Sequence, residues 1–159
     1  MRLLIPLLLI AGLSQASGQV SGVLARSDSA SQPTAAGTTL KHFGSIDDGV
    51  YKGSRPKSDA DYRFLQSLHI KYIVDLQVIP LLTRLEKRKA KKYGITLIPG
   101  IMNASPLSPS EKHIDQILTT LRDERYHPVY FHCKFGRDRT AIIAALYQMY
   151  FWECPRRML

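Results

Sequence analysis

A short apolar strand that ends at Cys133 runs directly into a long apolar helix, and this junction constrains the fold more than any other stretch of the chain. From Pro128 the sequence reads Pro-Val-Tyr-Phe-His, rich in the aromatic and β-branched residues of a buried strand. From Arg139 it continues Thr-Ala-Ile-Ile-Ala-Ala-Leu-Tyr-Gln-Met-Tyr-Phe-Trp. That segment is apolar on nearly all sides, which predicts a central, buried helix. A strand and a helix that both need covering belong in a layered α/β domain.

The rest of the chain agrees with this reading. His42 to Ile46 and Val50 to Lys52 read as short strands around the turn Asp47-Asp48-Gly49, a hairpin signal. Ser58 is placed to cap a helix running to about His69, with Tyr62, Leu65 and Leu68 on its apolar face. Lys71 to Gln77 contains the buried-strand run Tyr-Ile-Val-Asp-Leu. Pro80 to Tyr93 is expected to be a helix ended by Gly94, followed by a strand over Ile95 to Ile98 and a loop over Pro99 to Leu107. Ser108-Pro109-Ser110-Glu111 reads as a capping box opening a helix to about Arg125. Strands alternating with helices predict an α/β fold whose mostly parallel central sheet of four to five strands is flanked by helices.

The junction itself carries the chemistry. It reads His132-Cys133-Lys134-Phe135-Gly136-Arg137-Asp138-Arg139-Thr140. In a strand-to-helix turn, successive backbone N–H groups point inward at the positive end of the helix, which makes an anion cradle. Lys134, Phe135, Gly136, Arg137, Asp138 and Arg139 are its expected phosphate-binding residues. A thiol at the base of such a loop has its pKa lowered from about 8.5. The planar fork of Arg139 suits bidentate binding of phosphate oxygens. Gly136 permits a backbone conformation that side chains would obstruct, and Thr140 can offer its hydroxyl to the sulfur.

With these residues in this order, the chain resembles the cysteine-dependent protein tyrosine phosphatase superfamily, whose signature is HCxxGxxRT. The likeness runs over about Leu40 to Trp152 and includes Val50-Tyr51-Lys52-Gly53-Ser54-Arg55-Pro56, a segment common in the compact dual-specificity branch. The resemblance implies that Cys133 attacks phosphorus and forms a phosphocysteine. It further implies that Arg139 binds the phosphoryl group, that Thr140 assists breakdown of the intermediate, and that His132 holds the cysteine from behind by hydrogen bonding. No metal or other cofactor is implied. The chain ends at Leu159, short of the further helix often found after the central one in that family.

Many members take a general-acid aspartate from a separate loop. Here that loop, Pro99 to Leu107, contains no carboxylate. Asp138 lies instead within the phosphate loop, where myotubularin-like phosphatases also place an aspartate, and it is the expected acid. Glu111 and the substrate's own phosphates are the alternatives, and loop-ordering by an ion pair is the non-catalytic reading of Asp138. Lys134 and Arg137 add two cations at the loop, more than a phosphotyrosine pocket needs. A substrate carrying several phosphates, an inositol polyphosphate or a phosphoinositide-like polyanion, is therefore favoured. Small bacterial phosphatases of the cysteine phytase type resemble the chain in the same respect.

Charge supports a polyanionic partner without choosing one. Lysine and arginine number 22 against 13 acids, for a net charge of +9. Arg84, Lys87, Arg88, Lys89, Lys91 and Lys92, relieved only by Glu86, form a second basic cluster. It is read first as a solvated helix face, then as a means of steering substrate. No aromatic residues interleave with these bases, which argues against nucleic acid. His42, His69, His113 and His127 show no ligand spacing, so no metal site is expected. Cys154 follows Cys133 by 21 positions, mostly along a helix. That spacing puts it beyond disulfide reach, so Cys133 is expected to be free and open to oxidation.

Three stretches are expected along the chain: a signal peptide (1–18), a flexible linker (19–40) and a phosphatase domain (41–159). Met1-Arg2, the apolar run Leu3 to Leu13 and the small residues Ala16, Ser17 and Gly18 have the three-part order of a secretory signal. The run is too short to span a bilayer, so no stable membrane anchor is expected; the protein is expected to be exported and monomeric. The linker is rich in Ser, Ala, Gly and Thr and carries almost no large apolar residue. Two other functions stay open: a protein phosphotyrosine or dual-specificity phosphatase, and a non-catalytic phosphate-binding module.

Overall fold

The computed structural model describes residues 35–77, 79–100, 102 and 110–152. The expected signal peptide, most of the linker, most of the loop before Ser110 and Cys154 lie outside the described residues.

Chain order is β1 (Gly44–Asp47), β2 (Val50–Ser54), α1 (Asp59–Ser67), β3 (Tyr72–Asp75), α2 (Pro80–Lys92), β4 (Thr96–Pro99), α3 (Glu111–Arg122), a 3-10 turn (Glu124–Tyr126), β5 (Val129–Cys133) and α4 (Asp138–Phe151). The strands form one five-stranded sheet in the order β1-β2-β5-β3-β4. Only the β1–β2 hairpin is antiparallel, and β2, β5, β3 and β4 run parallel. Gly49, at φ +70, makes the hairpin turn, where a side chain would cost energy. The α/β class, the strands and the helices are as expected from sequence, with boundaries shifted by a few residues.

β5 lies at the centre, and all five of its residues are buried. Successive side chains of a strand point to opposite faces, and β5 divides accordingly. Val129, Phe131 and Cys133 join the cluster made with Ile117, Leu118 and Leu121 of α3 and Ile143, Ala144 and Tyr147 of α4. Tyr130 joins the opposite cluster, with Tyr62 and Leu65 of α1 and Ala90 of α2. This alternation puts Cys133 and His132 on opposite faces of the sheet.

Three expectations change. The segment expected to be a tether up to Leu40 is pinned at its end, because Asp61 of α1 accepts from the Thr39 N–H at 2.6 Å and from its hydroxyl at 2.7 Å. Asp61 also completes the capping box with Ser58, so its buried carboxylate is well satisfied. At α3 the N-cap is Ser110, and its side chain makes no capping bond. Ser108 and Pro109 fall outside the described residues. The helix stops at Arg122, because Asp123 turns to extended backbone before the 3-10 turn. Finally, α4 is not buried on all sides. Ile142, Met149 and Tyr150 are 48%, 57% and 57% exposed, because the sheet and α3 cover one face and no described element covers the other.

Candidate active site

The loop between β5 and α4 is held at both ends. Thr140 Oγ1 accepts the backbone N–H of Cys133 at 2.9 Å, tying the end of the strand to the first turn of the helix. The carbonyl of Cys133 accepts the Arg55 N–H at 3.0 Å, extending the β2–β5 ladder past Ser54. Gly136 sits at φ +71, and a Cβ there would lie 2.6 Å from both Gly53 C and Ser54 N. The loop therefore folds back against the end of β2, and only glycine permits that approach. The Tyr130 hydroxyl donates to Ser54 O at 2.6 Å and braces the same corner from below.

Cys133 is free and almost fully buried, at 4% exposure. Burial opposes its ionisation. The Thr140 hydroxyl and the backbone N–H groups of Thr140, Phe135 and Gly136 outweigh that cost, and the thiol pKa falls below its ordinary value. An anion cradle and a low-pKa thiol are thus the same device: N–H groups that stabilise sulfur charge can also receive phosphoryl oxygens.

Lys134, Phe135, Arg137 and Asp138 are exposed at the rim, while Arg139 is half-buried. The Lys134 ammonium lies 4.9 Å from the Phe135 ring centroid and the Arg137 guanidinium 5.8 Å from it. One ring thus gathers two cations at the mouth of the loop. Asp138 opens α4 and, among the described residues, forms no ion pair with these cations. The loop-ordering ion pair considered for it is therefore not formed. Glu111 begins α3, exposed. The basic face of α2 is solvated at Arg84, Lys87, Arg88, Lys91 and Lys92, whereas Lys89 pairs with Asp59 at 3.0 Å.

His132 departs from expectation. As the strand neighbour of Cys133 it points to the other face of the sheet, and its ring makes no hydrogen bond to Cys133 among the described residues. Its Nε2–H donates to Glu86 Oε1 at 2.6 Å, and its Nδ1 lies 3.9 Å from Asp75 Oδ1. All three residues are buried. Asp75 in turn accepts from Gln77 N at 2.9 Å, from Gln77 Nε2 at 3.1 Å and from the Thr83 hydroxyl at 2.8 Å. Sequence reasoning missed Glu86 and Asp75. A signal for Glu86 was present: with Leu82 and Ala90 it occupies the core-facing stripe of α2 at helical spacing, where an acid needs a buried partner.

The ligand atoms of Asp75, Glu86 and His132 lie within 4.8 Å of one another, an arrangement of metal-ligand types that the sequence reading did not foresee. The His132–Glu86 contact of 2.6 Å is a hydrogen bond. Two ligands on a tetrahedral ion at about 2.1 Å each stay about 3.4 Å apart, so this geometry suits a shared proton better than an ion.

The chain is similar in sequence and in fold to known proteins. Inositol diphosphatase DSP3 of Arabidopsis thaliana is 29% identical over 116 residues, covering 70% of this chain and 56% of that protein. Inositol diphosphatase DSP2 of Oryza sativa subsp. japonica is 31% identical over 116 residues, covering 70% of this chain and 55% of that protein. The chain thus spans about half the length of the curated relatives it matches. The core catalytic domain of the PP-IP phosphatase SIW14 from S. cerevisiae superposes with a TM-score of 0.59 at 20% identity, covering 69% of this chain and 66% of that one. TpbA of P. aeruginosa superposes with a TM-score of 0.56 at 20% identity, covering 73% and 71%. At these identities the structural likeness establishes the α/β phosphatase fold. A family model described as the tyrosine phosphatase family matches residues 38–158, which include the whole loop from Cys133 to Thr140, and the chain belongs to that family.

Proposed function

We propose that this chain is a cysteine-dependent phosphatase that hydrolyses inositol polyphosphates, including their diphosphate forms. The observation that carries the reading is the pairing of a depressed-pKa Cys133 inside an N–H cradle with two cations gathered on Phe135 at its mouth. The names of the plant and yeast relatives support the same substrate class.

In the first step the Cys133 thiolate attacks phosphorus, the S–P bond forms and the P–O bond to the leaving group breaks. Arg139 and the loop N–H groups hold the phosphoryl oxygens, and Asp138 delivers a proton to the departing oxygen. In the second step a water oxygen attacks phosphorus, its proton returns to Asp138, and the S–P bond breaks. Inorganic phosphate leaves, and the Thr140 hydroxyl stabilises the regenerated thiolate. Lys134 and Arg137 neutralise neighbouring phosphates that do not react.

The test is phosphate release from a panel of inositol hexakisphosphate, a diphosphoinositol phosphate, phosphotyrosine peptides and phosphoinositide headgroups. Cys133→Ser serves as the control, since an alcohol is a poor nucleophile at neutral pH. Preference for the inositol phosphates, lost in the control, is the expected result. Preference for phosphotyrosine peptides would transfer the chain to protein substrates. Binding without turnover would make it a phosphate-binding module.

We also infer export, from the Met1–Gly18 pattern alone. The mass of the mature chain should begin at Ser17 or Gln19. Retention of Met1 or Arg2 would refute it.

A further inference from the structure

We propose that Glu86, reaching from the basic helix α2 into the core, is a positioning residue that holds the His132 ring and through it sets the reactivity of Cys133. The proposal rests on reading Cys133 as the nucleophile. Glu86 is the only acid in α2, a helix that otherwise carries Arg84, Lys87, Arg88, Lys89, Lys91 and Lys92. Yet it is 5% exposed, and it sits on the core stripe among those cations. A carboxylate is costly to bury unless it is matched by charge and hydrogen bonds. The match here is the Nε2–H of His132 at 2.6 Å. That contact joins residues 46 apart in sequence and ends one residue from the nucleophile.

The groups facing the imidazole are accounted for on every side. Glu86 comes from α2 and Asp75 from β3, at 3.9 Å from Nδ1. Tyr130, on the same strand, lies 5.7 Å away ring to ring. Tyr62 of α1 lines the cleft beside Glu86 together with Arg55, Lys57 and Lys89. Burial of the imidazole disfavours its charge, but the charge and hydrogen bond of Glu86, then Asp75 and Cys133, outweigh burial and raise its pKa. A raised imidazole pKa behind a strand-end thiol favours thiolate through space, with no hydrogen bond to sulfur needed. Glu86 Oε2 and His132 Nδ1 have no hydrogen-bond partner among the described residues, so the Oε1–Nε2 contact is the one hydrogen bond that joins the two side chains.

The test replaces charge while keeping shape. Glu86→Gln preserves an acceptor for Nε2–H and removes the negative charge. The readout is the pH dependence of Cys133 alkylation by iodoacetamide, which needs no substrate, so its outcome is independent of what the enzyme hydrolyses. The midpoint should move up by about 0.5 to 1 pH unit, a three- to tenfold loss of thiolate on the acid side. An unchanged midpoint in folded E86Q, checked by its circular dichroism and thermal transition, would overturn the proposal. Should E86Q not fold, the ¹⁵N shifts of His132 in the unaltered chain decide instead. Both ring nitrogens protonated at neutral pH upholds the assignment, and a neutral ring defeats it.

Discussion

The Thr140 hydroxyl both accepts the Cys133 N–H at 2.9 Å and stabilises the charged form of the Cys133 sulfur. One side chain in the first turn of α4 therefore closes the loop and lowers the thiol pKa of Cys133. Thr140→Val keeps the shape and removes the hydroxyl. The Cys133 pKa is depressed, so the thiolate is present above that lowered value and is lost as pH falls through it. Removing a stabilising group must raise the pKa and move the acid limb of kcat/KM to higher pH. The buried N–H left without an acceptor should also cost about 1–3 kcal/mol of stability. A pH–rate profile and a urea titration measure the two effects separately. An unmoved acid limb would show that the backbone N–H groups carry the whole effect.

Lys134 and Arg137 share the Phe135 ring, and their double replacement by alanine tests substrate charge. Each exposed cation–phosphate contact is worth about 1 kcal/mol at 4 Å in water. Turnover of inositol hexakisphosphate should therefore fall about ten- to thirtyfold more than that of p-nitrophenyl phosphate. The gap should close as salt is raised. Equal losses on both substrates would assign the two cations to loop structure.

Asp138 is exposed at the start of α4 and bound to no cation among the described residues, as a proton donor to substrate requires. Asp138→Asn should reduce turnover of inositol phosphates by about 10²- to 10⁴-fold. The effect on p-nitrophenyl phosphate should be far smaller, because its leaving group is stable as an anion. A uniform loss would direct the search for the acid to Glu111 or to the substrate.

Gly136→Ala places a methyl 2.6 Å from the backbone of Gly53 and Ser54, at φ +71. Left-handed backbone costs a residue with a side chain about 1–2 kcal/mol, and the collision adds more unless the loop lifts from β2. A shift of about 1 Å in catalytic groups can cost on the order of 10²-fold in rate. Turnover should fall by at least that factor, with a modest fall in Tm. A variant with full activity would show that the loop does not depend on the end of β2.

The order of strands and helices was legible because each element carries its own periodicity and its own punctuation: Asp48-Gly49, Ser58, Pro80 and Gly94 are turn, cap, start and stop by local chemistry alone. The loop from Cys133 to Thr140 was legible for the same reason. Cys133, Gly136, Asp138, Arg139 and Thr140 are contiguous, and a strand-to-helix turn orients its own N–H groups without help from distant residues. The partner of His132 was not legible. That pairing needs β5 to alternate its side chains, so that Cys133 and His132 face opposite layers, and it needs α2 to dock its Leu82–Glu86–Ala90 stripe on the layer that His132 faces. The exposed side of α4 escaped the sequence for a related reason. An apolar helix does not state which of its faces the sheet will cover, and the choice of Ile143 and Tyr147 over Ile142 and Met149 is made by how the helix leaves the loop. The local order and chemistry of the Cys133 loop were written in the chain; the buried partner of His132 and the face of α4 left open came from packing between elements far apart in sequence.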